Sequence, residues 1–164
     1  MHNWYLFDKI IAVATSSGNW HNFKPSYRRK IRLSSNVFFP IMLRIFDYVP
    51  GRYGLGYDWP RGVAEDWWRN SQQDSLMADF MEKKLGSTHF KDVDKTIHAF
   101  WLSDDHMATP KTIPNYQKSY PNAQVITRLI TPEEYGLESI GHFGLFKEWS
   151  KGSLWEDIIA AFTK

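Results

Sequence analysis

The stretch KTIHAFWLSDDHMATP, residues 95–110, contains an apolar run that is followed at once by acidic residues. The run Lys95–Ser103 is rich in β-branched and aromatic residues, which is typical of a strand. Its hydrophobicity is continuous rather than alternating, as in a strand of a parallel sheet that is buried on both faces. We therefore expect a strand whose carboxyl end carries Asp104 and Asp105.

Two further apolar runs complete the predicted sheet. KIIAVATSS, Lys9–Ser17, and QVITRLI, Gln124–Ile130, have the composition of strands. Helix-forming stretches separate the three runs, and parallel neighbours need such long connections. The predicted fold class is α/β, with about three parallel strands and flanking helices in a single domain, residues 1–164.

Helices are predicted between and after these strands. Residues 34–86 form an aromatic helical insertion with a break or first turn near Pro40, and residues 111–123 form the next helix. SLWEDIIAAF, Ser153–Phe162, is an amphipathic terminal helix. Ser153 as N-cap and Glu156 three residues later have the pattern of a capping box.

Composition limits the function classes. A chain of 164 residues with 43% apolar content can bury roughly 70% of the surface of its unfolded form. Twenty basic and eighteen acidic residues give a net charge of +2, too small and too interspersed to indicate nucleic acid or a membrane as partner. The chain has no cysteine, which favours a reducing, cytoplasmic location. Its N-terminal apolar run is too short for a transmembrane segment.

Acidic residues and a histidine follow two of the predicted strands. Asp104, Asp105 and His142 all fall where the carboxyl edge of the sheet gathers functional groups. An acid that orients a histidine makes it a general base toward a hydroxyl nucleophile. From residue types alone, either acid could instead be a helix N-cap, and His142 a packed loop histidine.

Three separated motifs resemble a known family. WLSDDHMATP (101–110) and IGHFGLF (140–146) resemble the acid and histidine segments of α/β-hydrolase-fold proteins, whose triad runs Ser, Asp or Glu, His along the chain. YVPGRYGLGYDWPRGVAEDWWRN (48–70) resembles the insertion of a group of predicted bacterial α/β-hydrolases. The resemblance covers most of the chain and implies a partial α/β-hydrolase fold in which residues 34–86 form a helical lid.

The same resemblance implies roles for individual residues. Asp105, directly before the HMA stretch, matches the acid, with Asp104 as second choice, and His142 matches the base. Residues near the first strand end and in the insertion would line an acyl or alcohol pocket. These pocket candidates are Ser17, Trp20, Asp104, Trp59, Trp67 and Trp68.

The sequence departs from the family pattern at the nucleophile. No Gly-x-Ser-x-Gly occurs, so the chain resembles the C-terminal half of a serine esterase-like hydrolase. The whole enzyme is expected to hydrolyse a carboxylic ester or similar acyl substrate without a cofactor or metal, and this chain alone to be inactive. The first strand would then expose an edge, which favours self-association or a partner there.

Three alternatives stay open. The tryptophans could form an aromatic pocket in a non-catalytic binding or interaction module. A local hydroxyl, from Ser16, Ser17 or Ser103, could serve His142 as nucleophile in a weak esterase. A metal site at DDHM with His98 and a phosphate or nucleic-acid site at YRRKIR are both disfavoured, the first by ligand spacing and the second because a short basic run is usually a solvated helix face.

Overall fold

The computed structural model describes residues 3–53, 56–73 and 78–163. Its strands are β1 (Lys9–Val13), β2 (Tyr48–Val49), β3 (Trp59–Pro60), β4 (Thr96–Leu102) and β5 (Gln124–Ile130). Its α-helices are α1 (Pro25–Leu33), α2 (Phe39–Phe46), α3 (Arg61–Asn70), α4 (Ala78–Leu85), α5 (Ile113–Ser119) and α6 (Leu154–Thr163). Residues 54–55, within the 48–70 motif, and residues 74–77, within the predicted helical insertion, lie outside the described residues.

The three long strands form one parallel sheet in the order β1-β4-β5. This confirms the predicted mixture of helices with three parallel strands. The first strand is shorter than predicted, because Ala14 adopts a left-handed backbone conformation with φ 48° and turns the chain out of the sheet. Ala14 still donates its backbone N–H to the carbonyl of Phe100, so the turn begins directly at the sheet edge.

Helices cover both faces of the sheet. The side chains of β4 alternate between two buried clusters, one on each face. Ile97, Ala99 and Trp101 pack with Tyr116 of α5 on one face. Phe100 and Leu102 pack with Leu154 and Ala161 of α6 on the other, together with neighbouring apolar side chains. The core is therefore two apolar layers that a central strand separates, which explains why the sequence of β4 is apolar without alternation.

The chain between β1 and β4, which we call the helical part, has a core of its own. A π-helical turn, Ser34–Phe38, joins α1 to α2, and Pro40 lies in the first turn of α2, where its missing N–H is tolerated. Phe39, Leu43, Val49 and Ala64 form the buried cluster of this part, with partly buried tryptophans around it. No helix of the described residues combines the length and the apolar character needed to cross a membrane.

Candidate active site

Asp105 lies in the turn after β4 and is 2% exposed. Its Oδ2 lies 2.7 Å from Nδ1 of His142. Its Oδ1 accepts hydrogen bonds from the backbone N–H groups of Met107, at 2.7 Å, and Ala108, at 3.0 Å. Both oxygens are thus used, and the carboxylate has a fixed orientation toward the imidazole. The structure brings together the two residues that were predicted as acid and base.

The surroundings of Asp105 favour its ionised form. Burial raises the pKa of the carboxyl group. The hydrogen bonds from His142, Ala108 and Met107 together lower this pKa by more than burial raises it, so the pKa lies below its usual value. A buried carboxylate accepts a proton from Nδ1 of a neutral imidazole, which leaves the lone pair on Nε2. The side chain of His142 is 18% exposed while that of Asp105 is fully covered, so the ring reaches the surface.

Asp104, the second choice for the acid, makes different contacts. Its Oδ2 accepts the backbone N–H groups of Ile140, at 2.7 Å, and Gly141, at 3.0 Å. These amides directly precede His142, and Gly141 has φ 67°, a conformation that favours glycine. Among the described residues, the buried Oδ1 of Asp104 has no hydrogen-bond partner. Through the two bonds to its Oδ2, Asp104 anchors the loop that carries the histidine.

The loop after β1 runs beside the loop that carries Asp105. Lys24 donates its backbone N–H to the carbonyl of His106 at 3.0 Å, and the hydroxyl of Thr109 donates to the carbonyl of Asn22 at 2.5 Å. Ser17 is 1% exposed, and its Oγ accepts hydrogen bonds from the Asn19 backbone N–H, at 3.3 Å, and the Asn22 amide, at 3.1 Å. Within the described residues no hydrogen bond joins Ser17 to His142, and its burial does not favour a nucleophile.

Within the described residues, the packing contacts of the predicted pocket tryptophans are with residues other than Asp105 and His142. Trp20 packs against the ring of His21 and beneath the guanidinium of Arg32. Trp59 and Trp67 pack edge to face, with ring centroids 5.7 Å apart, within the core of the helical part. Trp68 is partly buried against the same cluster. These rings do not form the exposed row that sugar stacking would need, so their geometry gives the binding-module alternative no support.

A buried polar cluster that the sequence did not indicate fixes the strand ends. The indole N–H of Trp101 lies 2.9 Å from Oγ1 of Thr112 and 3.2 Å from the carbonyl of Thr15. The side-chain amide of Asn70 donates to the carbonyl of Ser17 at 2.8 Å and so ties α3 to the same loop. A tryptophan within an apolar strand is the one signal that could have revealed part of it, since a buried indole needs a hydrogen-bond partner.

The described residues contain no group of three or more His, Asp or Glu side chains placed to hold a metal ion. A groove of about 350 Å³ lies beside β1 and is lined by apolar side chains, among them Val13, Phe146, Trp155 and Ile159. The groove is on the α6 face of the sheet and, unlike the Asp105–His142 pair, offers almost no polar group.

Comparison with known proteins finds no family model, curated protein or solved structure that matches this chain. A function can therefore be inferred only from the geometry of the described residues and from the motifs in the sequence.

Proposed function

We propose that this chain is the C-terminal portion of a serine esterase-like α/β-hydrolase, in which Asp105 and His142 are the acid and the base of the triad. One observation carries the proposal: the 2.7 Å contact between Asp105 Oδ2 and His142 Nδ1, with Oδ1 held by two backbone amides. An acid fixed in this way sets the tautomer and the orientation of a catalytic histidine.

In the proposed reaction one proton moves twice, first to His142 and then from His142 to the leaving group. Nε2 of His142 takes the proton of a hydroxyl nucleophile as that oxygen attacks the acyl carbon. The imidazolium is stabilised by the Asp105 carboxylate and returns the proton to the leaving group. The nucleophile and the amides that stabilise the oxyanion would come from outside this chain, because the sequence has no Gly-x-Ser-x-Gly elbow. The chain alone is therefore expected to be inactive.

The substrate class and the lid extend the same proposal. A carboxylic ester or similar acyl compound is the substrate, and residues 34–86 form the lid. The hydrogen bond from Asn70 to Ser17 supports this placement, since it attaches the helical part to the loop beside the site.

Selective modification by diethyl pyrocarbonate tests the state of His142. Its Nδ1 is bonded to Asp105 and its side chain is 18% exposed, so the ring should react at Nε2 and react more slowly in Asp105→Asn. His89 is a matched internal control, because its Nδ1 lies 2.7 Å from Oδ2 of Asp92 in an exposed pair. The rate of His142 is compared with the rate of His89 in the same sample. Peptide mass spectrometry gives both rates. An unreactive His142, or one whose rate does not respond to Asp105→Asn, would contradict the proposal.

A fluorophosphonate probe tests whether the chain holds its own nucleophile. We expect no labelled serine, because Ser17 is buried and bonded to two asparagines, and no elbow exposes another. Labelling at a unique serine such as Ser16 or Ser103, lost in His142→Ala, would show instead that the chain is a weak esterase by itself.

A further inference from the structure

One continuous helix, residues 25–46, presents an uncovered row of aliphatic side chains. Leu33, Val37, Ile41 and Ile45 follow each other at intervals of four and are 62%, 46%, 46% and 63% exposed. We call these four residues the aliphatic row. Residues four apart lie on one helix face, and a contiguous exposed apolar row, unlike scattered residues, marks an interaction surface.

The opposite face of the same helix holds it to the protein. Ser35, Phe39 and Leu43 are buried, and each lies two residues after a member of the aliphatic row. Two residues correspond to about 200° around an α-helix, so the buried line and the aliphatic row point in opposite directions. Folding within the described residues therefore leaves the aliphatic row exposed.

The charge of this segment is one-sided. Residues 24–46 contain six basic residues and no acidic one, namely Lys24, Arg28, Arg29, Lys30, Arg32 and Arg44. Because the whole chain has a net charge of only +2, the remainder is net acidic, so the expectation that the charges are interspersed does not hold for this segment. Arg29 precedes Leu33 by four residues, so it lies at the end of the aliphatic row on the same helix face. Lys30 and Arg44 are exposed on the same side of the helix, close to the aliphatic row.

We propose that the aliphatic row and its basic neighbours bind the surface of an anionic lipid bilayer, with the helix parallel to that surface. Aliphatic side chains would enter the boundary of the acyl chains, and the lysine and arginine head groups would contact lipid phosphates. A second copy is a poorer occupant, because two such faces would bring six like charges together, from Arg29, Lys30 and Arg44 of each copy. The proposal is independent of the Asp105–His142 pair.

Vesicle co-sedimentation of the full chain tests the proposal. Binding to vesicles of phosphatidylcholine with phosphatidylglycerol should exceed binding to phosphatidylcholine alone, and added salt should weaken it. The double variant Ile41→Asn/Ile45→Asn should reduce the partition coefficient at least about tenfold, since each lost side chain removes buried apolar area. Arg29→Glu/Lys30→Glu should reduce it on anionic vesicles only.

A matched control is Ile126→Asn/Leu129→Asn on β5, whose residues are 43% and 44% exposed. It should bind as the wild type does. Absence of binding to anionic vesicles, equal binding to neutral ones, or the same loss in the control would overturn the proposal. Should a helix variant fail to fold by circular dichroism, the dependence of wild-type binding on salt and lipid charge still decides. A chain that binds only a soluble acidic protein and no vesicle also overturns it.

Discussion

At the scale of single residues, the adjacent acids Asp104 and Asp105 divide two tasks. Neighbouring side chains after a strand point in different directions, so Asp105 reaches the ring of His142 while Asp104 reaches the amides before it. One acid orients the base and the other fixes the loop that carries it.

Asp105→Asn should change the dependence of stability on pH. The folded-state pKa of Asp105 lies below its unfolded value because of its hydrogen bonds, which outweigh burial. The stabilisation is thus complete above the unfolded pKa of about 3.9 and is lost as pH falls through the folded pKa. Urea unfolding should show a loss on the order of 1–3 kcal/mol at pH 7, and the gap between wild type and variant should narrow below about pH 4. A gap independent of pH would be contrary to this account.

Asp104→Ala should destabilise the protein by about 1–3 kcal/mol, because the N–H groups of Ile140 and Gly141 lose their acceptor. Ser103→Ala, at an exposed neighbouring position, is the control and should stay within about 0.5 kcal/mol of the wild type. Urea unfolding measures both. The reactivity of His142 toward diethyl pyrocarbonate should fall in Asp104→Ala but not in Ser103→Ala. Equal effects of the two substitutions would argue against an anchoring role.

The sequence could predict the identity of the Asp105–His142 pair but not the contacts around it. Motif order and strand ends indicate both residues, since each follows an apolar run. The bonds of Asp104 depend on where residues 140–141 pass, which is set by long-range packing and has no local signal. Buried Ser17 is likewise bonded to Asn22 and to Asn70, the last residue of the 48–70 motif, and no local pattern predicts either contact.

At the scale of elements, turns limit where strands and helices end. Gly51 donates its N–H to Asp58 Oδ1 at 2.8 Å in the connection between β2 and β3. A Cβ added at Gly51 would lie 2.3 Å from the backbone carbonyl carbon of Tyr57. Only glycine permits this approach, and it positions Trp59 for the core of the helical part.

Gly51→Ala should therefore destabilise the helical part by about 1–3 kcal/mol. Gly62→Ala is its matched control, because a Cβ at Gly62 in α3 meets nothing within 4 Å. It should leave stability unchanged or raise it by up to about 1 kcal/mol, since alanine favours a helix. Urea unfolding followed by tryptophan fluorescence gives the midpoint, and Trp59 and Trp67 are two of the eight tryptophans that contribute to the signal. An unchanged midpoint in Gly51→Ala would refute the close approach.

Element types were easier to predict than element ends. The apolar runs identified the three strands of the parallel sheet, but not the antiparallel pair β2 and β3 within the insertion that was predicted to be helical. The positive φ of Ala14 also ended β1 four residues before the predicted Ser17. A complete capping box occurs at Thr131 and Glu134, before a 3-10 turn rather than a regular helix. Ser153 lies before α6 as expected, but its hydroxyl donates to the carbonyl of Ser150 at 3.3 Å.

At the scale of the whole molecule, β1 leaves one edge uncovered. It pairs with β4 alone among the described residues, and Ala14 donates toward Phe100 on that side. Backbone groups alternate along a strand, so those of Ile11 and Val13 point toward the free edge. The apolar groove along α6 borders the same edge. We propose that self-association or a partner strand covers it, as an edge of this kind invites pairing.

Sedimentation velocity at micromolar concentration should show species larger than the monomer. Ile159→Lys places a charge in the groove, where the side chain is 54% exposed, and should shift the protein toward the monomer. Ile126→Lys, at a 43% exposed position on β5, is the control and should not. A monomeric wild type with a well-formed near-ultraviolet spectrum would contradict the proposal that another strand covers this edge.

Long-range nitrogen–proton NMR of the His142 ring, at a pH where the ring is neutral, shows which ring nitrogen carries the proton and so tests whether Asp105 orients the base. In the wild type we expect the proton on Nδ1, bonded to Asp105. In Asp105→Asn the amide oxygen should stay with the N–H groups of Met107 and Ala108, so that its NH₂ faces Nδ1 and moves the ring proton to Nε2. A proton on Nε2 in the wild type, or the same tautomer in both proteins, would contradict an acid–base pair.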